Sequence, residues 1–237
     1  MNEEFQNQFQ EVSVLDSLDL DMTSNGFAND TKEENPKDLS SLIKRESTGS
    51  INNESNIEQI FKYCLEDGEE QYRIIKQKRG QRFVVQRRTS GRIEYNLGDT
   101  PRIPYNLPYL KQNQGKVIWV VNGEDKVDLF KSIGLVATTA PFSSPNKWEK
   151  DFNTYLTKAS GVIVLDENKK GTETYVSNTF NTIKDDDLNV GIVMLKDLAR
   201  LLNIELEENS TIIQLSKKLD NTKLYELLVK VEQQILI

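Results

Sequence analysis

Histidine is absent from all 237 residues, and cysteine occurs once, as Cys64. A closed structural zinc site needs four ligands, nearly all of them Cys or His, so zinc fingers and zinc ribbons are excluded. Serine or cysteine nucleophiles activated by histidine are excluded with them. A single thiol cannot close a disulfide within the chain, which fits a reducing compartment. Long apolar runs are also missing: none approaches the ~20 residues that span a bilayer. The opening stretch, MNEEFQNQFQEV, lacks the apolar segment of a secretory signal, so the expected location is cytoplasmic, with no membrane partner. Apolar residues make up 37%, below the usual globular share, so part of the chain is expected to stay outside any core. The chemistry left open uses carboxylates, a metal held by oxygen, or no catalysis at all.

Charge is divided by region. Residues 1–60 hold 13 Asp/Glu against 4 Lys/Arg, a net of −9, whereas residues 71–102 hold 9 Lys/Arg against 2 Asp/Glu, a net of +7. The first 55 residues are rich in Asn, Ser, Asp and Glu with no sustained apolar period, and ordering them costs more backbone entropy than so little burial returns. They are expected to form an acidic, disordered tail that is either a spacer or a competitor for the basic region. Residues 56–114 form the next unit. Ile57, Ile60, Phe61, Cys64 and Leu65 stand at helical spacing, which predicts a helix over 56–66 that ends at Gly68 and buries Cys64. Short β runs follow at 72–76, 82–86 and 92–95, separated by turn residues at 78–80 and 89–91. This is a small basic meander, closed by Pro101, Pro104 and Pro108.

Residues 115–237 read as α/β. Val117–Val121 and Gly161–Leu165 are continuous apolar runs, as strands covered on both faces should be. Further strands are expected at 135–137 and 190–195. Helices are expected at 124–133, from a Ser144-Pro145 start through Trp148, Phe152, Tyr155 and Leu156, at 175–183, and near 196–203, 211–219 and 222–236. Strands alternating with helices predict a mostly parallel sheet flanked by helices.

In such sheets ligands gather at the carboxyl ends of strands, and two ends here are polar. One is Val120-Val-Asn-Gly-Glu-Asp-Lys-Val-Asp128 and the other Val164-Leu-Asp-Glu-Asn-Lys-Lys-Gly171, with Gly134-Leu-Val-Ala-Thr-Thr-Ala-Pro141 and Lys147-Trp148 between them. This order resembles the Toprim domain of bacterial primases and topoisomerases, above all the divergent form in phage and plasmid primase-helicase proteins. There the pattern is strand-Glu-Gly-Glu-Lys-Asp-x-Asp, then Gly-Leu-x-Ala-Thr-Thr-x-Pro with Lys-Trp, then strand-Asp-x-Asp-x-x-Gly. The likeness covers residues 70–232.

The resemblance implies a glutamate that handles protons and aspartates that hold magnesium, a cation that prefers hard, charged oxygens. At the glutamate position this chain has Asn122, an amide that cannot act as a general base. The Asp-x-Asp reads Asp166-Glu167-Asn168, and a later Asp-x-x-Asp corresponds to Thr211-Ile-Ile-Gln214. Glu124, Asp128 and Asp166 keep their acids, and Glu124 and Asp166 are the candidate ligands of a weakly held Mg²⁺. The expectation is a vestigial site of Asn122, Glu124, Asp128, Asp166 and Asn168, with no resident cofactor and no catalysis. No Gly-x-x-x-x-Gly-Lys-Ser/Thr phosphate loop is present in these residues, and Asp185-Asp-Asp187 reads as a solvated loop.

The meander carries Arg73, Lys76, Lys78, Arg79, Arg82, Arg87, Arg88 and Arg92, interleaved with Tyr72, Phe83 and Tyr95. Guanidinium groups suit phosphate oxygens and aromatic rings stack unpaired bases, so these residues are the candidate surface for DNA or RNA. Alternatively, the cations neutralise local acids. The leading expectation is a catalytically degenerate, primase-like protein of a phage or mobile element, acting on nucleic acid as a replication accessory or regulator. The alternatives are an active Mg²⁺-dependent primase or nuclease, and an interaction module that blocks a replication or host protein.

Overall fold

The computed structural model describes residues 56–78, 83–141, 148–167 and 173–236, all within one compact unit, Glu46–Ile237. The expected acidic tail lies outside the described residues, as do Arg79, Arg82, Asn168 and the Ser144-Pro145 pair.

Four strands form an antiparallel meander in the order β1 (Ile57–Cys64), β2 (Glu70–Gln77), β3 (Phe83–Thr89) and β4 (Arg92–Glu94). The predicted helix at 56–66 is therefore strand β1. Its apolar residues fit both periods, but burial follows every second residue: Phe61 and Tyr63 are buried, while Ile60 is 41% exposed. Phe61 stands opposite Ile74 and Tyr63 opposite Tyr72, and Ile74 in turn faces Val85. Those five side chains make one apolar face, a tertiary reward that no helix at this position could collect. Gly68 takes a positive φ within the β1–β2 connection and ends no helix. Cys64 is half-buried at the strand end, outside the core, and burial pushes its thiol pKa up. The expected turn at 89–91 is present, with Ser90 and Gly91 both at positive φ, the geometry of a two-residue hairpin that follows the strand twist.

The chain then forms helix α1 (Leu107–Gln112), with Pro108 in its first turn. A proline there loses no helical hydrogen bond, so Pro108 starts an element that the sequence reading took for a break. The α/β part follows as β5 (Val117–Val120), α2 (Glu124–Ser132), β6 (Val136–Thr138), β7 (Gly161–Asp166), α3 (Glu173–Lys184), β8 (Val190–Met194), α4 (Leu195–Leu201), α5 (Ile212–Ser216) and α6 (Asn221–Ile235). The four strands are parallel, in the order β6-β5-β7-β8. The fold is thus the mixed α/β arrangement expected, with a parallel sheet flanked by helices after an antiparallel meander. Among the described residues no helix is long and apolar enough to cross a membrane.

Central strands β5 and β7 supply the core, with Ile118, Trp119 and Val120 beside Val162, Ile163 and Val164, all buried. Trp119 packs on Phe130 of α2 and donates its indole N–H to Glu232 of α6 at 2.6 Å. The end of α6 crosses the start of β7 and β8: a Cβ on Gly161 would lie 2.4 Å from Leu236, and one on Gly191 2.2 Å from Ile235. Where a helix was expected through Trp148 and Tyr155, a 3₁₀ helix spans Lys150–Tyr155. Asn153 fastens this turn: its side-chain carbonyl accepts from the Trp148 indole, and its amide donates to the Thr182 carbonyl and to Asp186. Asp186, in the loop read as solvated, is thereby tied down and also pairs with Lys150.

Candidate functional site

The carboxyl ends of β5 and β7 carry the residues singled out from the sequence. After β5 the chain turns at Asn122-Gly123 into α2. Gly123 has φ 123°, a conformation that side chains with a Cβ resist, and its N–H donates to the Thr139 hydroxyl at 3.2 Å. Glu124 and Asp128, four residues apart, share one face of α2, and that face looks onto the meander. Glu124 is 3% exposed and accepts a 2.7 Å hydrogen bond from the Tyr63 hydroxyl. Asp128 accepts from the Tyr105 hydroxyl at 3.1 Å and from the Gln59 amide at 3.3 Å.

Four rings cluster beside these carboxylates. Tyr63 stacks on Tyr72 at 4.6 Å and lies 5.2 Å from Tyr105, while Phe61 meets Tyr105 edge-on. Tyr72 reaches past them to hydrogen bond with both the N–H and the carbonyl of Ile103. Burial pushes the Glu124 carboxyl above its usual pKa, and the Tyr63 hydrogen bond pulls it partly back. The same balance, with Tyr105 as donor, raises Asp128. Burial likewise lifts the phenols of Tyr63 and Tyr105, so both remain hydroxyl donors at neutral pH.

On the next strand, Asp166 is the last residue of β7, half-buried and level with Met194 of β8. Its neighbour Glu167 pairs with the Lys126 ammonium and accepts the Ile212 N–H at 2.8 Å. Thr211 and Gln214 form a reciprocal capping box at the start of α5, which gives both side chains a local structural use. Asn122 is half-buried. Among the described residues, no group of three or more Cys, Asp or Glu side chains is placed to hold a metal ion. The structure therefore brings Glu124 and Asp128 together with tyrosines rather than with a metal cage. The described donors do not fit the magnesium that the resemblance implies.

In the meander, Arg73 pairs with Glu70, Lys76 with Glu58, and Arg87 with Glu94. The Arg87 side chain is only 18% exposed, donates to Thr100, and fills the space where a Cβ on Gly98 would sit. Tyr72, proposed above as a base-stacking ring, is buried against Tyr63 and cannot serve as one. Arg88, Arg92 and Lys78 are exposed, and Ile93 between the two arginines is 51% exposed. Tyr63, Tyr105, Gln59 and Lys126 were not picked out from the sequence. Only the alternation of Phe61 and Tyr63 could have marked the first of them.

No family model and no curated protein matches this chain. Among solved structures, the primase fragment of the bacteriophage T7 primase-helicase protein is similar, with a TM-score of 0.41 and 10% sequence identity. The match spans 61% of this chain and 58% of that fragment.

Proposed function

We propose that this chain is a catalytically inactive, primase-like protein that binds nucleic acid through the β3–β4 ribbon and acts as a replication accessory or regulator. The inactive part of this reading is supported by Glu124 and Asp128, whose carboxylates are engaged by tyrosine hydroxyls of the packed meander and its connection. The observation that carries the binding part is the ribbon tip. Residues 88–93 are all exposed and present Arg88 and Arg92 on a two-stranded antiparallel element, a shape that the duplex major groove admits.

Salt-dependent binding tests it. Removing one phosphate contact lowers the slope of log affinity against log salt by about 0.9 for duplex DNA and about 0.7 for a single strand. Arg88→Ala and Arg92→Ala together should therefore lower the duplex slope by about 1.8. Arg87→Ala should leave that slope unchanged, because Arg87 is turned onto Glu94, while reducing stability by about 1 kcal/mol, since Glu94 is partly open to solvent. No measurable affinity at low salt would favour the second reading, a protein-interaction module. Exposed Ile60 and Ile93 on the meander, together with the overall charge of −7, support that alternative.

A further inference from the structure

We propose that Lys126 is the resident cation of the sheet's carboxyl edge, fastening α2 to β7 and, through Glu167, to the start of α5 without a divalent ion. The inference rests on the non-catalytic reading of the same edge and adds what replaces the metal there.

Successive helical residues are about 100° apart, so Lys126 leaves α2 roughly opposite to Glu124. Glu124 turns to Tyr63 on the meander, while Lys126 turns to Glu167 at the end of β7. One ion cannot readily be shared by Glu124 and Glu167, which lie towards opposite sides of α2. The Lys126 and Glu167 side chains are 10% and 6% exposed. A carboxylate so enclosed needs a counter-charge and donors for its remaining lone pairs. Glu167 has both, with the ammonium on one oxygen and the Ile212 N–H on the other. Ile212 is itself fully buried at the first position of α5, so this carboxylate sets where α5 joins the sheet. A divalent ion would have to displace the ammonium and supply its own octahedral set of oxygens.

The test compares melting of the full chain in EDTA and in about 10 mM Mg²⁺ for the wild type, Lys126→Met, and Lys126→Met/Glu167→Gln. The wild type should melt at the same temperature in both. Lys126→Met should melt on the order of 10 °C lower in EDTA, because Glu167 is left buried without its partner. Mg²⁺ should return none of that loss, because Glu167 alone offers the ion a single carboxylate. The double variant, which carries no charge and keeps an amide oxygen to accept the Ile212 N–H, should recover most of it in EDTA and ignore Mg²⁺. If Lys126→Met does not fold, the double variant decides, and its failure to fold as well would overturn the proposal. So would a wild type stabilised by Mg²⁺, or a Lys126→Met protein that melts normally or is restored by the ion. Duplex binding measured in EDTA with the Arg88/Arg92 variant reports on the nucleic-acid reading independently, so the two can fail separately.

Discussion

Tyr63→Ala should cost the protein on the order of 5 kcal/mol of unfolding free energy, and Tyr63→Phe about 2 kcal/mol. The ring is fully buried, stacked on Tyr72 and close to Tyr105, so its removal opens a cavity between the meander and the parallel sheet. Large-to-small changes at such positions lose both transfer free energy and packing. The hydroxyl adds a separate contribution, because it is the side-chain donor to a carboxylate that is almost wholly enclosed. Deleting a donor to a buried charged acceptor costs more than deleting a neutral bond, since the acceptor keeps its desolvation penalty. Denaturant unfolding of both variants, followed by the emission of Trp119 and Trp148, separates the two contributions, because the Phe variant loses the hydroxyl alone. A Tyr63→Phe protein within about 0.5 kcal/mol of wild type would mean that Glu124 does not depend on this bond.

That interface shows why some of the molecule was legible in its sequence and some was not. Strands β5 and β7 announce themselves because both faces are covered, so every residue in the run is apolar. The amphipathic stripe of α6, with Leu224, Leu228 and Val231 buried, is equally local. Strand β1 was misread because Ile57, Ile60, Phe61 and Cys64 satisfy a helical period by coincidence. The deciding partner, β2, enters only through pairing. The site divides in the same way. Glu124 and Asp128 stand out as acids at a strand end, but their donors Tyr63, Tyr105 and Gln59 lie 61, 23 and 69 residues away. No local pattern records such contacts. Lys126 is hidden in a charged run that reads as solvent-facing, although it is buried. Counting arginines likewise overstated the free positive charge, because register sets Arg87 opposite Glu94.

The buried carboxylates also fix how stability should vary with pH. Glu124, Asp128 and Glu232 all have pKa values raised chiefly by burial, with tyrosine or tryptophan donors pulling them partly back. A group whose folded pKa exceeds its unfolded value binds more protons in the native state, so unfolding free energy falls as pH rises. This stabilisation is complete below the ordinary carboxylate range and is lost as pH climbs through the raised values. Acidifying from pH 7 into the ordinary carboxylate range should therefore strengthen the fold, by up to about 1.4 kcal/mol per pH unit for each extra proton held. Below that range the trend should reverse. Asp186 and Asp220 have lowered pKa values, the first through its bond from Asn153 and the second through the Lys223 N–H at the start of α6, and their contribution disappears as they protonate. Urea titrations across this range should thus show a maximum on the acid side of neutrality. Glu124→Gln should flatten its alkaline limb, because an amide takes up no proton there. Tyr63→Phe should steepen that limb, because without the hydroxyl the Glu124 carboxyl rises further and the variant recovers part of its deficit in acid. A wild type that weakens steadily from pH 7 downward would show that these carboxylates are not buried as described.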